Sequence, residues 1–224
     1  MTKYEKKLRN ISLNEAPKRC LLEEIGNAVT HGVGALIATL MMLLMLNKST
    51  NGLMIMASLF YGISMIIMMV MSSLYHSFKH GSRVKRLWRR FDYASIYLLI
   101  GGTYAPLFLV YLGNTLGIVL FIIQWFFIIV GITFIAIFGP GRIKWLHYLL
   151  YFLVGWSGVL FIPKWIISEV SLMSWILFGG IVYTIGMIPF CNKKMKNAHF
   201  IWHFFVLFGA ITQWIGIYIN LFLQ

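Results

Sequence analysis

Two histidines stand one helical turn apart at the start of the last apolar run of the chain. In the stretch Asn197-Ala-His-Phe-Ile-Trp-His203, His199 and His203 are four residues apart, so on a helix they lie on the same face. Two imidazoles in that arrangement can bind one metal ion. The same interval separates two other polar pairs, each at one end of an apolar segment: Ser72 with His76, and Asn27 with His31. We therefore expect these ends to meet on one side of a membrane.

Three of these histidines predict a metal centre. His76, His199 and His203 would supply three nitrogen ligands and leave one position open for water, which is the pattern of catalytic zinc sites. The predicted cofactor is therefore zinc, which would lower the pKa of its bound water to about 7. The alternative is that each histidine is a buried hydrogen-bonding residue without a metal.

A carboxylate and a hydroxyl are expected at the same depth. Asp92 is the only aspartate in the chain. A carboxylate in a membrane helix costs about 2.5–3.5 kcal/mol on insertion scales, so it usually faces the bundle interior and has a function. We predict that Asp92 binds the metal's water or acts as its base, and that Ser72 donates to an oxyanion. The alternative places Asp92 at the membrane interface, paired with Arg89 or Arg90.

The other polar residues of this end fall into two groups. Four of them would surround the metal ligands and orient them through hydrogen bonds: Glu24, Asn27, Thr30 and His31. His80 and His147 lie in or beside basic connectors, so we expect both to be solvated or interfacial, with no metal role.

The elements that must position these residues are membrane helices. Apolar residues make up 60% of the chain and charged residues only 11%, whereas about a quarter of a soluble domain is charged. The net charge of +13 does not indicate nucleic-acid binding, because the basic residues lie in short connectors without a binding motif. The first twenty residues are polar and basic, so we expect no cleaved signal peptide.

Seven apolar runs are long enough to span a bilayer, which takes about 20 residues. They cover residues 26–46, 53–76, 91–111, 115–138, 143–163, 171–190 and 199–222. The predicted fold is all-α, a seven-transmembrane helix bundle over residues 25–224 that follows a short basic segment, residues 1–24. In the third run, Gly101-Gly102 and Pro106 are expected to bend the helix.

The basic residues orient this bundle. All Lys and Arg can be assigned to connectors, and with seven spans every one except Lys48 and Lys164 falls on the same side. The positive-inside rule makes that side cytoplasmic. We therefore expect the N-terminus in the cytoplasm and the C-terminus outside.

Four motifs together resemble a known family. They are Glu24-Ile-Gly-Asn27-Ala-Val-Thr30-His31-Gly, Ser72-Ser-Leu-Tyr-His76-Ser, Asp92-Tyr-Ala-Ser-Ile96-Tyr-Leu-Leu-Ile-Gly-Gly-Thr-Tyr-Ala-Pro106 and His199-Phe-Ile-Trp-His203. Their order resembles the hemolysin III-type membrane proteins of bacteria, relatives of the progestin and adipoQ receptors in a superfamily that includes alkaline ceramidases. The resemblance covers the chain from Glu23 onward.

The resemblance implies a seven-helix protein of the bacterial plasma membrane with a cytoplasmic N-terminus. It also implies zinc held by His76, His199 and His203, with Asp92 beside the metal's water and Ser72 as the motif serine. The short N-terminal segment does not support recognition of an adiponectin-like protein ligand. The expected partners are therefore membrane lipids.

Three functions stay open. The first is a zinc-dependent hydrolase that acts on a lipid amide or ester from within the bilayer. The second is a non-enzymatic regulator or sensor of membrane lipid and energy homeostasis, in which zinc ties two spans together. The third, a pore-forming hemolysin, is disfavoured because no span carries polar residues from one membrane face to the other.

Overall fold

The computed structural model describes residues 5, 9, 11–158, 170–192 and 194–223, and the regular structure in these ranges is helical. The helices, in chain order, are α1 (Leu21–Lys48), α2 (Gly52–Ser77), α3 (Arg83–Pro106), a π-helix (Leu107–Leu112), α4 (Thr115–Phe138), α5 (Lys144–Gly155), α6 (Val170–Cys191) and α7 (Ala198–Leu221).

Six helices within the described ranges are long and apolar enough to cross a membrane: α1, α2, α3 with its π-helical extension, α4, α6 and α7. Each corresponds to one predicted span. The fifth predicted span, residues 143–163, is described only in part, because residues 159–163 lie outside the described ranges. The described part contains α5, which has 12 residues. Lys164 also lies outside it.

Short polar side chains begin three of these helices. The side chains of Asn51, Ser82 and Asn114 accept hydrogen bonds from the backbone N–H groups of Met54, Lys85 and Gly117, respectively. Such caps satisfy N–H groups that have no partner inside a helix. Each cap is the last residue of a short connector, before α2, α3 and α4 respectively.

The start of α3 corrects one prediction. We expected this span to begin at residue 91 and assigned Lys85 and Arg89 to a connector, but the helix begins at Arg83. The Ser82 cap starts the helix two turns earlier. Lys85 and Arg89 are each 1% exposed, so they are buried helix residues with polar partners, as described below.

The bundle is built from neighbouring helices. α2 packs along both α1 and α3, α6 packs along α7, and α7 also lies against α1. At Gly102 the backbones of α2 and α3 come close, because a Cβ atom there would lie 2.6 Å from the Ser64 Cβ and 2.9 Å from the Phe60 carbonyl oxygen. This close approach packs the backbone of α3 near Gly102 against the middle of α2.

The third span changes its geometry directly after Pro106. Residues Leu107–Leu112 form a π-helix that ends at Gly113, which has a positive φ of 57°. Proline lacks the N–H group that an α-helix needs at that position. Where we expected a bend at Pro106, the structure has a wider helical turn. This turn includes the buried residues Leu107 and Phe108.

Candidate metal centre

The three predicted metal ligands lie together. His199 and His203 are one turn apart near the start of α7, with ring centroids 4.9 Å apart. His76 lies in the last turn of α2, and its Nε2 atom is 3.2 Å from the Nε2 of His199. One ligand atom from each of the three residues lies within 4.8 Å of the others. The predicted juxtaposition is therefore present.

This geometry fits a metal ion. A tetrahedral zinc ion with Zn–N bonds of about 2.0–2.1 Å holds two ligand nitrogens about 3.3–3.4 Å apart, close to the 3.2 Å between His76 and His199. The Nδ1 of His203 is buried and has no hydrogen-bond partner among the described residues. A neutral imidazole has one nitrogen with a free lone pair. A cation bound between the three rings would accept these lone pairs and give His203 a partner.

Glu24 fixes the orientation of His76. One carboxylate oxygen contacts His76 Nδ1, and the other accepts from Lys85 Nζ at 3.0 Å. Because a carboxylate can only accept, Nδ1 carries the proton, and the lone pair of Nε2 faces His199. Glu24 therefore prepares His76 to bind a cation through Nε2.

Lys85 is a residue of this site that the sequence prediction missed. It is 1% exposed, and besides Glu24 it donates to the carbonyl oxygens of Tyr75 and Phe78, at 3.2 and 3.1 Å. These carbonyls belong to the carboxyl end of α2, where a cation is favourable. Lys85 therefore links α3 to the turn of α2 that carries His76.

The other residues predicted to surround the metal ligands occupy different positions. Asn27 is fully buried, and its Nδ2 lies 3.3 Å from His76 Nδ1. Thr30 donates to the Gly26 carbonyl within its own helix, at 2.7 Å. His31 stacks on His203, with ring centroids 3.8 Å apart. Only Glu24 and Asn27 of the four thus lie at hydrogen-bonding distance from a predicted ligand.

Asp92 and Ser72 are also brought together. Both side chains are buried, and both line the same cavity. Arg90 donates instead to the Ala136 carbonyl at 2.7 Å, and Arg89 donates to the Glu15 carbonyl at 3.0 Å. Asp92 is therefore an interior residue, not half of an interfacial ion pair.

The segment before α1 lies across this end of the bundle. Arg86 forms an ion pair with Glu15 at 2.9 Å, and the Asn14 side chain bonds to the Phe138 carbonyl and the Gly141 N–H. Farther along, Arg19 donates to the Tyr75 hydroxyl at 3.3 Å.

Arg19 carries a fixed positive charge. Burial lowers its pKa, but Tyr75 and Glu24 raise it by more, so the pKa of this guanidinium lies above its ordinary value. The cluster of His76, His199 and His203 therefore lies at the same end of the bundle as three cationic side chains, those of Arg19, Lys85 and Arg89.

His147 corrects a prediction. We expected it to be solvated or interfacial, but it is fully buried. Its Nδ1 lies 3.4 Å from the Tyr97 hydroxyl, between α3 and α5. α5 turns this residue toward the bundle, whereas the sequence shows only a histidine next to basic residues. It is not part of the histidine cluster.

A cavity of about 420 Å³ extends from the cluster into the bundle. Its polar end is formed by His31, Ser72, Asp92, His199 and His203, while most of the remaining wall is apolar. Phe152 of α5 lines it and is also 54% exposed, so this part of the wall is formed by a residue at the surface of the bundle. The site therefore combines a possible metal centre with room for an apolar chain.

Comparisons with known proteins agree with this architecture. The profile of a family described as Haemolysin-III related matches residues 20–214. The chain is 38% identical over 192 residues to "Hemolysin-3" of Bacillus cereus, covering 84% of this chain and 87% of that protein. It is 34% identical over 195 residues to "Hemolysin-3 homolog" of Bacillus subtilis (strain 168), covering 85% and 91%. With the six apolar helices, these relatives indicate a multi-pass protein of the bacterial cell membrane.

Proposed function

Because the chain belongs to the haemolysin III-related family, and because of the site at one end of its bundle, we propose that it is a zinc-dependent hydrolase of lipid amides or esters. The observation that carries this proposal is the position of the three histidines. Two of them line an apolar cavity that also contains a buried carboxylate and a hydroxyl. Binding of lipid alone would not require this combination of groups.

His76, His199 and His203 would hold the metal. When bound, zinc supplies a Lewis acid and a water of lowered pKa. Glu24 keeps the proton of His76 on Nδ1, away from the metal-facing nitrogen. The imidazole ring of His31, stacked on His203, limits the movement of that ligand.

Asp92 and Ser72 would handle the proton and the developing charge. Asp92 takes up a proton at its carboxylate and returns it to the leaving amine or alcohol, as a general base and then a general acid does. The Ser72 hydroxyl donates a hydrogen bond to the carbonyl oxygen of the substrate as that oxygen gains negative charge. Both residues line the polar end of the cavity, so one substrate carbonyl placed there can lie within reach of both.

The apolar part of the cavity would bind an acyl chain. Leu99, Met173 and Val206 are examples of the side chains along it, so an acyl chain that enters from the bilayer keeps apolar surroundings. The exposed wall residue Phe152 supports entry from the bilayer. An apolar lining does not favour a water-filled pore, which would need polar groups along its length.

The orientation is part of the proposal. We infer seven spans, with residues 143–163 as the fifth one, a cytoplasmic N-terminus and an external C-terminus. The distribution of Lys and Arg supports this arrangement. The metal site would then lie near the cytoplasmic face, one to two turns into the membrane.

A second candidate is a regulator in which zinc has a structural role. The observation that favours it is that the site connects four helices: Glu24 lies on α1, His76 on α2, Lys85 on α3 and His199 on α7. A metal there would stabilise the bundle without any reaction. The regulator and the hydrolase bind the same ion, so activity must separate them.

The deciding experiment has two steps. Elemental analysis of purified protein should find about one zinc per chain, lost in a His199→Ala, His203→Ala double variant that still inserts. His80→Ala is the matched control, since His80 is exposed. A screen of lipid amides and esters should then show fatty-acid release that a chelator stops and added zinc restores. Metal without hydrolysis would support the regulator, and absence of any bound transition metal in wild type would overturn both candidates.

A further inference from the structure

His31 is a buried imidazole whose environment does not satisfy it. It is 2% exposed, and neither Nδ1 nor Nε2 has a hydrogen-bond partner among the described residues. The carbonyl of His203 lies nearby, but outside hydrogen-bonding geometry. A buried polar group without a partner is unfavourable. A purely packing role at this position would be served better by phenylalanine.

His31 is badly oriented for joining the other three histidines around one ion. Its ring is stacked on His203 with an interplanar angle of 21° and a centroid distance of 3.8 Å. The lone pair of an imidazole nitrogen lies in the plane of its ring. A metal in the plane of the His203 ring is therefore displaced from the plane of His31, and the His31 nitrogens do not point at it.

The position of His31 instead suggests contact with a ligand. His31 lines the same polar end of the cavity as Ser72 and Asp92. A neutral imidazole offers one N–H donor and one acceptor. The head group of an acyl ligand, by contrast, brings carbonyl or carboxylate oxygens that need donors when they leave water.

We propose that His31 is a further ligand-binding residue: its N–H donates a hydrogen bond to the acyl oxygen of a lipid whose chain fills the cavity. This inference rests on the proposed lipid function, but it does not require hydrolysis. It assigns to His31 a direct contact with the lipid ligand, in addition to its stacking on His203. The ring stacking on His203 places the donor beside the metal centre.

The test compares binding of oleate to purified, metal-loaded protein and its variants. His31→Phe keeps a ring to stack on His203 and removes both nitrogens, so oleate affinity should fall about tenfold while the zinc content stays at the wild-type level. His31→Gln restores an N–H donor and should recover part of the affinity. His147→Phe is the matched control, since His147 is also a buried histidine with an unpartnered nitrogen but does not line the cavity.

Three outcomes would overturn the inference. Equal oleate affinity for His31→Phe and wild type would mean that His31 does not touch the ligand. Loss of zinc from His31→Phe would assign the residue to metal binding instead. Absence of oleate binding by wild type would remove the ligand class itself. If oleate binding depends on His31 but the protein hydrolyses no lipid, the hydrolase proposal is wrong and this inference still holds.

Discussion

Glu24 of α1 contacts one side chain from each of two other helices. Its oxygens contact His76 Nδ1 and Lys85 Nζ, and Lys85 is almost completely buried. A carboxylate behind a metal-binding histidine fixes its tautomer, and loss of such a group usually lowers metal affinity 10–100-fold. Glu24 should therefore affect both zinc binding and stability.

We predict that Glu24→Gln weakens zinc binding about 10–100-fold and lowers the free energy of unfolding by about 3–5 kcal/mol, because it leaves the Lys85 cation buried without its counter-charge. Zinc titration and thermal unfolding in detergent measure the two effects. Adding Lys85→Met should recover stability without recovering zinc affinity. Glu23→Gln is the control, since Glu23 only approaches Arg19, at 4.0 Å. Unchanged zinc affinity in Glu24→Gln would contradict this role.

Asp92→Asn tests the proton-handling role. The amide keeps the size of the side chain but cannot take up a proton, so hydrolysis should fall about 10²–10⁴-fold. The zinc content should not change, because Asp92 is not one of the three clustered nitrogen ligands. Rates of fatty-acid release and elemental analysis check both statements. Wild-type hydrolysis in this variant would exclude Asp92 as the base.

Spacing and residue type were enough to predict the three clustered histidines and the neighbouring Ser72 and Asp92. The one-turn interval fixes which side chains share a helix face, and a lone aspartate in an apolar run must face the interior. Lys85 gave no such signal, since a lysine in a basic stretch usually lies in solvent. Its burial depends on a carboxylate from α1, which is a tertiary contact that no local pattern contains.

At the scale of the helices, the close contact between α2 and α3 depends on one missing side chain. We predict that Gly102→Ala lowers the free energy of unfolding by about 1–3 kcal/mol, the usual effect of overpacking, although alanine favours helices more than glycine does. The added Cβ would meet the Ser64 side chain and the Phe60 carbonyl. Thermal unfolding in detergent measures the change.

Gly52→Ala is the control for this substitution. No atom lies within 4 Å of a Cβ built at Gly52, so this variant should be as stable as wild type. Gly102→Ala should also weaken zinc binding, since α2 carries His76 and α3 carries Lys85. A Gly102→Ala protein of unchanged or higher stability would show that the two helices can separate without loss.

The apolar runs predicted the helix positions and most of the helix starts, but not the starts of α1 and α3. The run of apolar residues begins several residues inside α3, because Ser82 caps a first turn rich in Lys and Arg. Hydropathy cannot distinguish a basic connector from a basic helix end whose charges are paired in three dimensions. For the same reason, His147 was expected to be solvated or interfacial, although it is buried.

At the scale of the whole molecule, the two native cysteines test the orientation. Cys20 and Cys191 are both exposed and lie next to the cytoplasmic ends of α1 and α6 in the proposed topology. A membrane-impermeant maleimide should therefore leave them unlabelled in cells with an intact plasma membrane and label them after permeabilisation. Their labelling in intact cells would invert the topology.

The C-terminal end supplies the opposite control. Leu223 is 50% exposed and should lie outside. Leu223→Cys, in a chain with Cys20→Ser and Cys191→Ser, should be labelled without permeabilisation. An even number of spans would put both ends of the chain on one side and make this residue inaccessible together with Cys20.

The order in which the helices are made gives the position of the histidines a further consequence. Synthesis proceeds from the N-terminus, so Glu24, His76, Lys85 and Asp92 enter the membrane well before α7 delivers His199 and His203. Until then, His76 is present without the other two predicted ligands, and no three-nitrogen site exists for a metal. Metal binding at the proposed site would therefore require a chain that includes α7. A product whose synthesis stops before α7 could not hold the ion, even if its first helices have assembled correctly.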